Sequence, residues 1–200
     1  MDTLATLGLM LGTSWATGIN LYAVVFVLGI TNRLGWIDLP QSLDPVSSLV
    51  VLVTAGLLYA VEFVADKIPA VDSVWDTIHT FIRPLGGAAL AYMAVGDTSP
   101  TFQIMAALLG GAVALNSHLT KATSRLALNA SPEPVSNWTA SLLGDGLVLG
   151  LIWLAVAHPV IAIIVVLAFI VLSIWFLTKM VQFVKSIFSF DAKEDPVAGP

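Results

Sequence analysis

Two charged stretches interrupt an otherwise apolar chain, and their residue types could bind or relay charge. In residues 61–84, four polar side chains stand at i, i+4, i+7 and i+11, which places them on one helix face: Asp72, Asp76, His79 and Arg83. Glu62 and Asp66 form another i, i+4 pair just upstream. Ionisable side chains are costly at membrane depth, so in a membrane protein they indicate a functional site.

The second stretch, residues 116–138, carries the opposite sign. A basic stripe is predicted at the end of one helix, with i, i+3, i+7 and i+11 spacing: His118, Lys121, Arg125 and Asn129. Glu133 follows between two prolines, which forbid a continuous helix there. Asn137 and Asp145 lie on the next predicted helix, and Lys67 follows the acidic pair of the first stretch. All of these are candidate residues for ligand binding or coupling.

Two interpretations of the charged stretches stay open. Carboxylates of one stretch could pair with cations of the other, and Arg83 with Asp145, in a purely structural network. Alternatively, the network lines a water-accessible cavity for an ion or an anionic solute, which arginine forks recognise well. His79 or His118 could then titrate near neutral pH.

Metal binding and catalysis are constrained by the residue types. A divalent metal on Asp72, Asp76 and His79 would need ligands from a second element, so metal binding stays undecided. The chain has no cysteine, which excludes disulfides, thiolate nucleophiles and Cys-ligated metals. It also has no nucleophile elbow and no glycine-rich phosphate loop. We expect no cofactor and no catalytic residue, and an enzyme role stays open.

The elements that must position these residues are transmembrane helices. The 200 residues are 58% hydrophobic and 10% charged, with a mean hydropathy of +0.92, whereas soluble domains carry roughly 25% charged residues. A span needs about 20 apolar residues. Six segments approach this: 4–30, 45–64, 77–95, 99–117, 138–157 and 159–180. We predict an all-α membrane protein, a polytopic bundle of about six transmembrane helices, in one domain (residues 1–190) with a short polar tail (191–200).

Two further patterns concern the organisation of the bundle. The first segment has a polar side that includes Gly18 and Asn20, where a helix break, close packing or a path-lining role for Asn20 is open. The second and third segments resemble the fourth and fifth in layout. Two pseudo-repeated helical hairpins are therefore an alternative arrangement.

Orientation follows from the Lys and Arg residues near the ends of the spans. With a cytoplasmic amino terminus, Arg33 falls outside and seven cations fall inside: Lys67, Arg83, Lys121, Arg125, Lys179, Lys185 and Lys193. We predict a multi-pass protein of the bacterial inner membrane with both termini, and both charged stretches, on the cytoplasmic side. The net charge of −5 offers no basic surface for nucleic acid. Expected partners are membrane lipid, a small ion or anionic solute, and further copies of the chain in a homo-oligomer.

Two blocks of residues also carry a family resemblance. The first block comprises Val61-Glu62-Phe63, Ala65-Asp66-Lys67-Ile68-Pro69, Val71-Asp72, His79 and Arg83-Pro84. The second comprises His118-Leu119-Thr120-Lys121-Ala122, Arg125, Asn129, Ser131-Pro132-Glu133-Pro134 and Ser136-Asn137. Together they resemble a bacterial integral-membrane family catalogued as a domain of unknown function, number four-one-two-six, over roughly residues 8 to 160. The resemblance implies a polytopic inner-membrane protein and implies no activity.

The leading functional hypothesis is a small transporter or channel for an ion or anionic solute, working through a charged cavity that faces the cytoplasm. A membrane-embedded enzyme or binding protein that acts on a lipid headgroup is the alternative, and a structural scaffold is a third. All three would use the same charged stretches.

Overall fold

Helices make up nearly all of the described part of the chain in this computed structural model, which covers residues 2–96, 98–129 and 134–191. Among these residues there is no strand. The elements are α1 (Thr3–Arg33), a 3₁₀ helix (Gln41–Ser47), α2 (Leu49–Ala65), α3 (Pro69–Ala94), α4 (Pro100–Asn129), α5 (Pro134–Ala157) and α6 (Pro159–Asp191). The predicted all-α membrane bundle is confirmed.

Most of these helices can cross a bilayer. By length and composition alone, four helices among the described residues could span it (α1, α4, α5 and α6), and the 3₁₀ helix with α2, joined at a bend of 61°, would make a fifth span. α1 nevertheless does not cross, because its chain reverses at Asn20. α3 is 26 residues long, or about 39 Å, which also suffices in length. Four polar residues lower the mean hydropathy of α3, and all four are buried: Asp72, Asp76, His79 and Arg83. The chain is thus a multi-pass membrane protein.

The helix starts follow local rules. Asp2 caps α1 by accepting a hydrogen bond from the Ala5 N–H, and Ser48 caps α2 by accepting one from the Val51 N–H. α3 begins at Pro69, whose missing N–H costs nothing in the first turn. α3 therefore starts about two turns before residue 77, where the third apolar segment was predicted to begin.

α1 is broken at its centre. Asn20 has φ −153° and ψ 96°, which is extended backbone between two helical halves, residues 3–19 and 21–33. The first half runs antiparallel to α5, because Gly8 lies against Pro159, just after the end of α5, while Gly12 lies against Ala155 and the Asn20 side chain reaches Asp145. The first half therefore descends toward the end of the bundle where α5 begins.

The second half of α1 runs back the way the first half came. Leu21 packs on Gly86 in the middle of α3, Gly29 contacts Val46 just before α2, and Arg33 donates to the Ser47 carbonyl. The 3₁₀ helix is fixed there by the Ser42 hydroxyl, which donates to the Met93 carbonyl near the end of α3. The second half therefore ends where α2 begins and α3 ends.

Both ends of α1 consequently lie at one end of the bundle. Thr3 and Leu7 line a small cavity together with Pro40, Ala94 and Thr98, which belong to that same end. The α2–α3 turn, the end of α4 and the start of α5 lie at the other end, so α1 is re-entrant. The prediction that the amino terminus lies on the side of the charged stretches does not hold here, because Asn20 reverses the chain.

α1 is the centre of the packing. Its first half packs against α4, α5 and α6, and its second half packs against α2 and α3, while α3 and α4 pack directly on each other. Leu9 and Ala16 from the first half and Val24 and Leu28 from the second are fully buried. The α4–α5 hairpin thus packs on the first half of α1, and the α2–α3 hairpin packs on the second half. The predicted sequence repeat between these two hairpins stays a prediction.

The re-entrant path predicts that single cysteines at Thr3 and Trp36 react with a membrane-impermeant maleimide from the same side of the membrane. A cysteine at Ile68, in the α2–α3 turn, should react only from the opposite side. The natural chain has no cysteine, so each signal comes from one position. Labelling in right-side-out and inverted vesicles measures this. Reaction of Thr3→Cys and Ile68→Cys from one shared side would contradict the re-entrant path.

Candidate functional site

An ion-pair network forms where α2 ends, α3 begins and α4 ends. Arg83 lies at its centre, with Nη2 2.8 Å from Glu62 Oε1 and Nη1 3.1 Å from Asp76 Oδ1. Lys121 Nζ is 3.1 Å from Asp66 Oδ2 and 3.5 Å from Glu62 Oε1. We call the network the charge cluster, and its six members are Glu62, Asp66, Asp76, Arg83, Lys121 and Arg125.

The charge cluster is buried and balanced. Arg125 completes it, with Nη2 3.3 Å from Asp66 Oδ2. No side chain of the six is more than 8% exposed. Three carboxylates face three cations, so the formal charges cancel. A buried ion pair survives only when each charge has a partner, and this balance satisfies that condition.

The cations of the cluster also hold the break of α1. Arg83 Nη1 donates to the Gly18 carbonyl at 3.3 Å, and Lys121 Nζ donates to the Ile19 carbonyl at 3.2 Å. The last carbonyls of a helix lack intrahelical donors and carry partial negative charge, so cations are suitable partners. On the other side of the break, Asn20 Oδ1 accepts from the Ala23 N–H at 2.9 Å and caps the second half. We call Gly18, Ile19 and Asn20 the tip of α1.

The two histidines are held by hydrogen bonds that suit the neutral ring. His118 Nδ1 accepts from Arg83 Nη1 at 2.7 Å, since the guanidinium can only donate. Its Nε2 then donates to Thr80 Oγ1 at 3.0 Å. His79 Nδ1 donates to the Trp75 carbonyl at 2.7 Å, and Nε2 accepts from the Tyr22 hydroxyl at 3.0 Å. Charging either ring would break one of these bonds.

Other predicted residues fix the helix ends around the cluster. Asn129 Nδ2 donates to Asp72 Oδ2 at 3.0 Å and so joins the end of α4 to the start of α3. Arg125 Nη1 donates to the Asn137 carbonyl at 3.0 Å and thereby joins α4 to α5. Lys67 donates to the Phe63 carbonyl, and its Nζ lies 3.0 Å from the centroid of the Phe63 ring. Glu133 lies outside the described residues.

Asp145 has a different partner from the one predicted. Asn20 Nδ2 donates to Asp145 Oδ1 at 3.2 Å, so this carboxylate meets the tip of α1 instead of Arg83. Arg83 is occupied by Glu62, Asp76 and the Gly18 carbonyl. The predicted Arg83–Asp145 pair is therefore wrong.

The metal set considered from the sequence does not come together. Asp72 faces Asn129, Asp76 faces Arg83, and both nitrogens of His79 are used by Trp75 and Tyr22. Across the described ranges, no three His, Asp or Glu residues are grouped in a way that could hold a metal ion.

The structure adds residues that the spacing of charges does not single out. Tyr22, Thr80 and Ser117 each bond to the site: Ser117 Oγ donates to the Trp15 carbonyl at 2.8 Å and holds the first half of α1 against α4. Hydroxyl side chains in apolar helices are common, so their number alone gives no signal. The break of α1 does fall at Gly18 and Asn20, where the sequence left a helix break open.

Two cavities flank the charge cluster. The larger, about 470 Å³, lies between α4, α5 and α6, and its wall includes Asp66, Lys121 and Asp145. The smaller, about 190 Å³, lies between α3 and α4, and its wall includes Asp76 and Thr80. Arg125 contributes to both walls, so the cluster separates the two spaces.

Asp66 lies in the α2–α3 turn, outside the spanning helices, and its ionisation is coupled to the cluster. Burial alone would raise the pKa of its carboxyl, but Lys121 and Arg125 outweigh this effect and lower the pKa below its ordinary value. A carboxyl with a depressed folded-state pKa adds stability above its unfolded pKa and loses it as the pH falls through the folded value.

Asp66 should therefore stabilise the fold at neutral pH, and this contribution should be lost progressively as the pH falls below the unfolded-state pKa of about 4. The measurement is thermal unfolding of the full chain in nanodiscs between pH 3 and pH 7. Asp66→Asn should lower the neutral-pH stability and reduce the acid slope. Asp44→Asn, at an exposed site in the 3₁₀ helix, is the control and should change neither. An acid slope in Asp66→Asn equal to that of the unmodified protein would refute the assignment.

Comparison with known proteins identifies the family. No curated protein and no solved structure matches the chain. The family described as "Domain of unknown function (DUF4126)" matches residues 7–179. This range contains the charge cluster, both cavities and all of the re-entrant α1 except its first four residues. The chain therefore belongs to the DUF4126 family, as the two motif blocks predicted.

Proposed function

We propose that the protein is a small membrane transporter or channel, seen closed, in which the charge cluster and the tip of α1 form the gate. The re-entrant α1 carries this proposal. Irregular backbone at membrane depth is tolerated only where protein buries it or where it lines a pathway. Discontinuous helices whose ends meet ionisable groups are characteristic of transport sites.

The unpartnered polar atoms favour protons or cations as the species that bind at the gate and pass through it. Every cation of the charge cluster is already bound to a carboxylate. The buried atoms without a hydrogen-bond partner among the described residues include Glu62 Oε2, Asp76 Oδ2 and Asp145 Oδ2. Such oxygens accept protons or cations, so the anionic solute expected from the sequence has less support than a proton or a cation.

The balance of the charge cluster supplies a mechanism for opening. Protonation of Glu62 or Asp76 would leave three buried cations facing two carboxylates, and an uncompensated buried charge costs several kcal/mol. Entry of water, or movement of Arg83 and Lys121 away from the tip, relieves this cost. Because the same two cations hold Gly18 and Ile19, proton uptake and movement of the tip are linked.

The orientation proposed is that the end with the charge cluster faces the cytoplasm of a bacterial cell and the membrane is the inner one. Arg33 lies at the other end, while the cluster end holds the remaining cations of the described residues: Lys67, Arg83, Lys121, Arg125, Lys179 and Lys185. An excess of Lys and Arg marks the cytoplasmic side. The carboxyl-terminal end of α6 then lies in the cytoplasm and the amino terminus outside.

Lipid-headgroup binding is the second candidate. The larger cavity places Lys121 and Arg125 in an otherwise mostly apolar wall, as a headgroup with its chains would require. Both cations are already paired with Asp66, however, and this favours transport.

Transport is tested with the purified chain in proteoliposomes that contain a pH-sensitive dye. A proton gradient should drive exchange with at least one added ion among Na⁺, K⁺, tetraphenylphosphonium, chloride and phosphate. Glu62→Gln and Asp76→Asn should abolish this flux, because neither amide can carry the proton, while Asp44→Asn should retain it. Flux equal to that of protein-free liposomes for the whole panel, or unchanged flux in both amide variants, would overturn the proposal.

A further inference from the structure

The larger cavity has features that neither the charge cluster nor the gate explains. It lies between α4, α5 and α6, beside the tip of α1, and its volume of about 470 Å³ is in the range of small-molecule sites. Its inner wall is aromatic, with Trp15, Phe169 and Phe176. Trp15 and Phe169 are stacked on each other with ring centroids 4.6 Å apart, which fixes the positions of both rings.

Polar atoms without partners face this aromatic wall. Ser141 is 2% exposed and lines the cavity, yet its Oγ has no hydrogen-bond partner in the described part of the chain. Asp145, four residues further along α5, lines the same cavity and has an unpartnered Oδ2. Residues four apart share one helix face. Trp15 Nε1 is a third unpartnered atom in the wall.

Among the charged residues of the cavity wall, Asp145 is the one that forms no ion pair with another described residue. Lys121 and Arg125 lie in the same wall, but Asp66 pairs with both, and the charge cluster is neutral as a whole. The Asp145 carboxylate is hydrogen-bonded to the neutral Asn20 amide, and Lys67 and Lys121 act on it through charge alone, without an ion-pair contact. The charged and titratable groups around it are Tyr59 and Glu62 from α2, Asp66 and Lys67 from the α2–α3 turn, and Lys121 and Arg125 from α4.

We propose that this cavity binds a lipophilic cation, with the positive centre at Asp145 and Ser141 and the apolar body against Trp15, Phe169 and Phe176. A cation over aromatic faces gains electrostatic attraction that grows when water is excluded. This site would give the proposed transporter a substrate class, namely lipophilic cations. That the bound cation is a transported substrate rests on the proposed function. A proton and the lipophilic cation compete for the Asp145 carboxylate, so this one side chain can exchange a proton for the cation.

The competing occupants differ in charge. A lipid chain would use the apolar wall alone and would leave Asp145 and Ser141 unpartnered. An anion would be repelled by the Asp145 carboxylate. A lipophilic cation satisfies both the apolar wall and the unpartnered oxygens, which is why we favour it.

Equilibrium binding of radiolabelled tetraphenylphosphonium to the full chain in nanodiscs tests the site, with tetraphenylborate as an anion of the same shape. Tetraphenylphosphonium stays charged at every pH, so any pH dependence comes from the protein. We expect saturable binding of the phosphonium that weakens as the pH falls. Tetraphenylborate should neither bind saturably nor displace it.

Asp145→Asn should weaken phosphonium binding by about tenfold or more, because the counter-charge is lost. Asp145→Glu should retain binding, and Asp38→Asn, an exposed carboxylate outside the cavity, should leave it unchanged. Equal affinity in Asp145→Asn, preference for tetraphenylborate, or no saturable binding beyond that of the lipid would overturn the site. Saturable binding without flux in proteoliposomes would overturn the transport proposal and leave the binding site standing. Flux that survives in Asp145→Asn would instead support the transport proposal and show that this cavity is not the transport site.

Discussion

The hold of Arg83 and Lys121 on the tip of α1 is the interaction on which the rest of the structure depends. A helix that reverses inside the bundle leaves carbonyls without donors, and in lipid each such group costs several kcal/mol. The two cations supply those donors from α3 and α4. Cations at this depth then need counter-charges, which Glu62 and Asp66 from the end of α2 and Asp76 from α3 provide. The break and the ion pairs are therefore one unit.

This unit links the two charged stretches to the centre of the molecule. Both hairpins turn at the same end, and each packs on one half of α1, so a change in the charge cluster acts on the tip directly. Asp145 extends the link to α5 through Asn20. A purely structural network would explain the pairing, but it would leave the unpartnered carboxylate oxygens and the two flanking cavities without a role.

Periodicity predicted much of this arrangement. The spacing of Asp76 and Arg83 on one helix and of Lys121 and Arg125 on another placed each pair on one face, and the structure brings those faces together. The reversal of α1 was not predicted, because a hydropathy profile is insensitive to one extended residue inside an apolar run. The pairing of Arg83 with Asp145 was wrong for a related reason. Spacing along one helix gives no distance to another, and here the tip of α1 occupies the position beside Asp145.

The distance between the two ends of α1 tests the re-entrant path most directly. A straight helix of 31 residues would separate Thr3 from Arg33 by about 45 Å. Spin labels on cysteines at Thr3 and Leu34 report this distance by pulsed electron paramagnetic resonance, in a chain that has no other cysteine. The re-entrant α1 predicts a distance far below the straight-helix value, which lengthens or broadens when Arg83→Gln releases the tip. A single distance near the straight-helix value in the unmodified background would contradict the account.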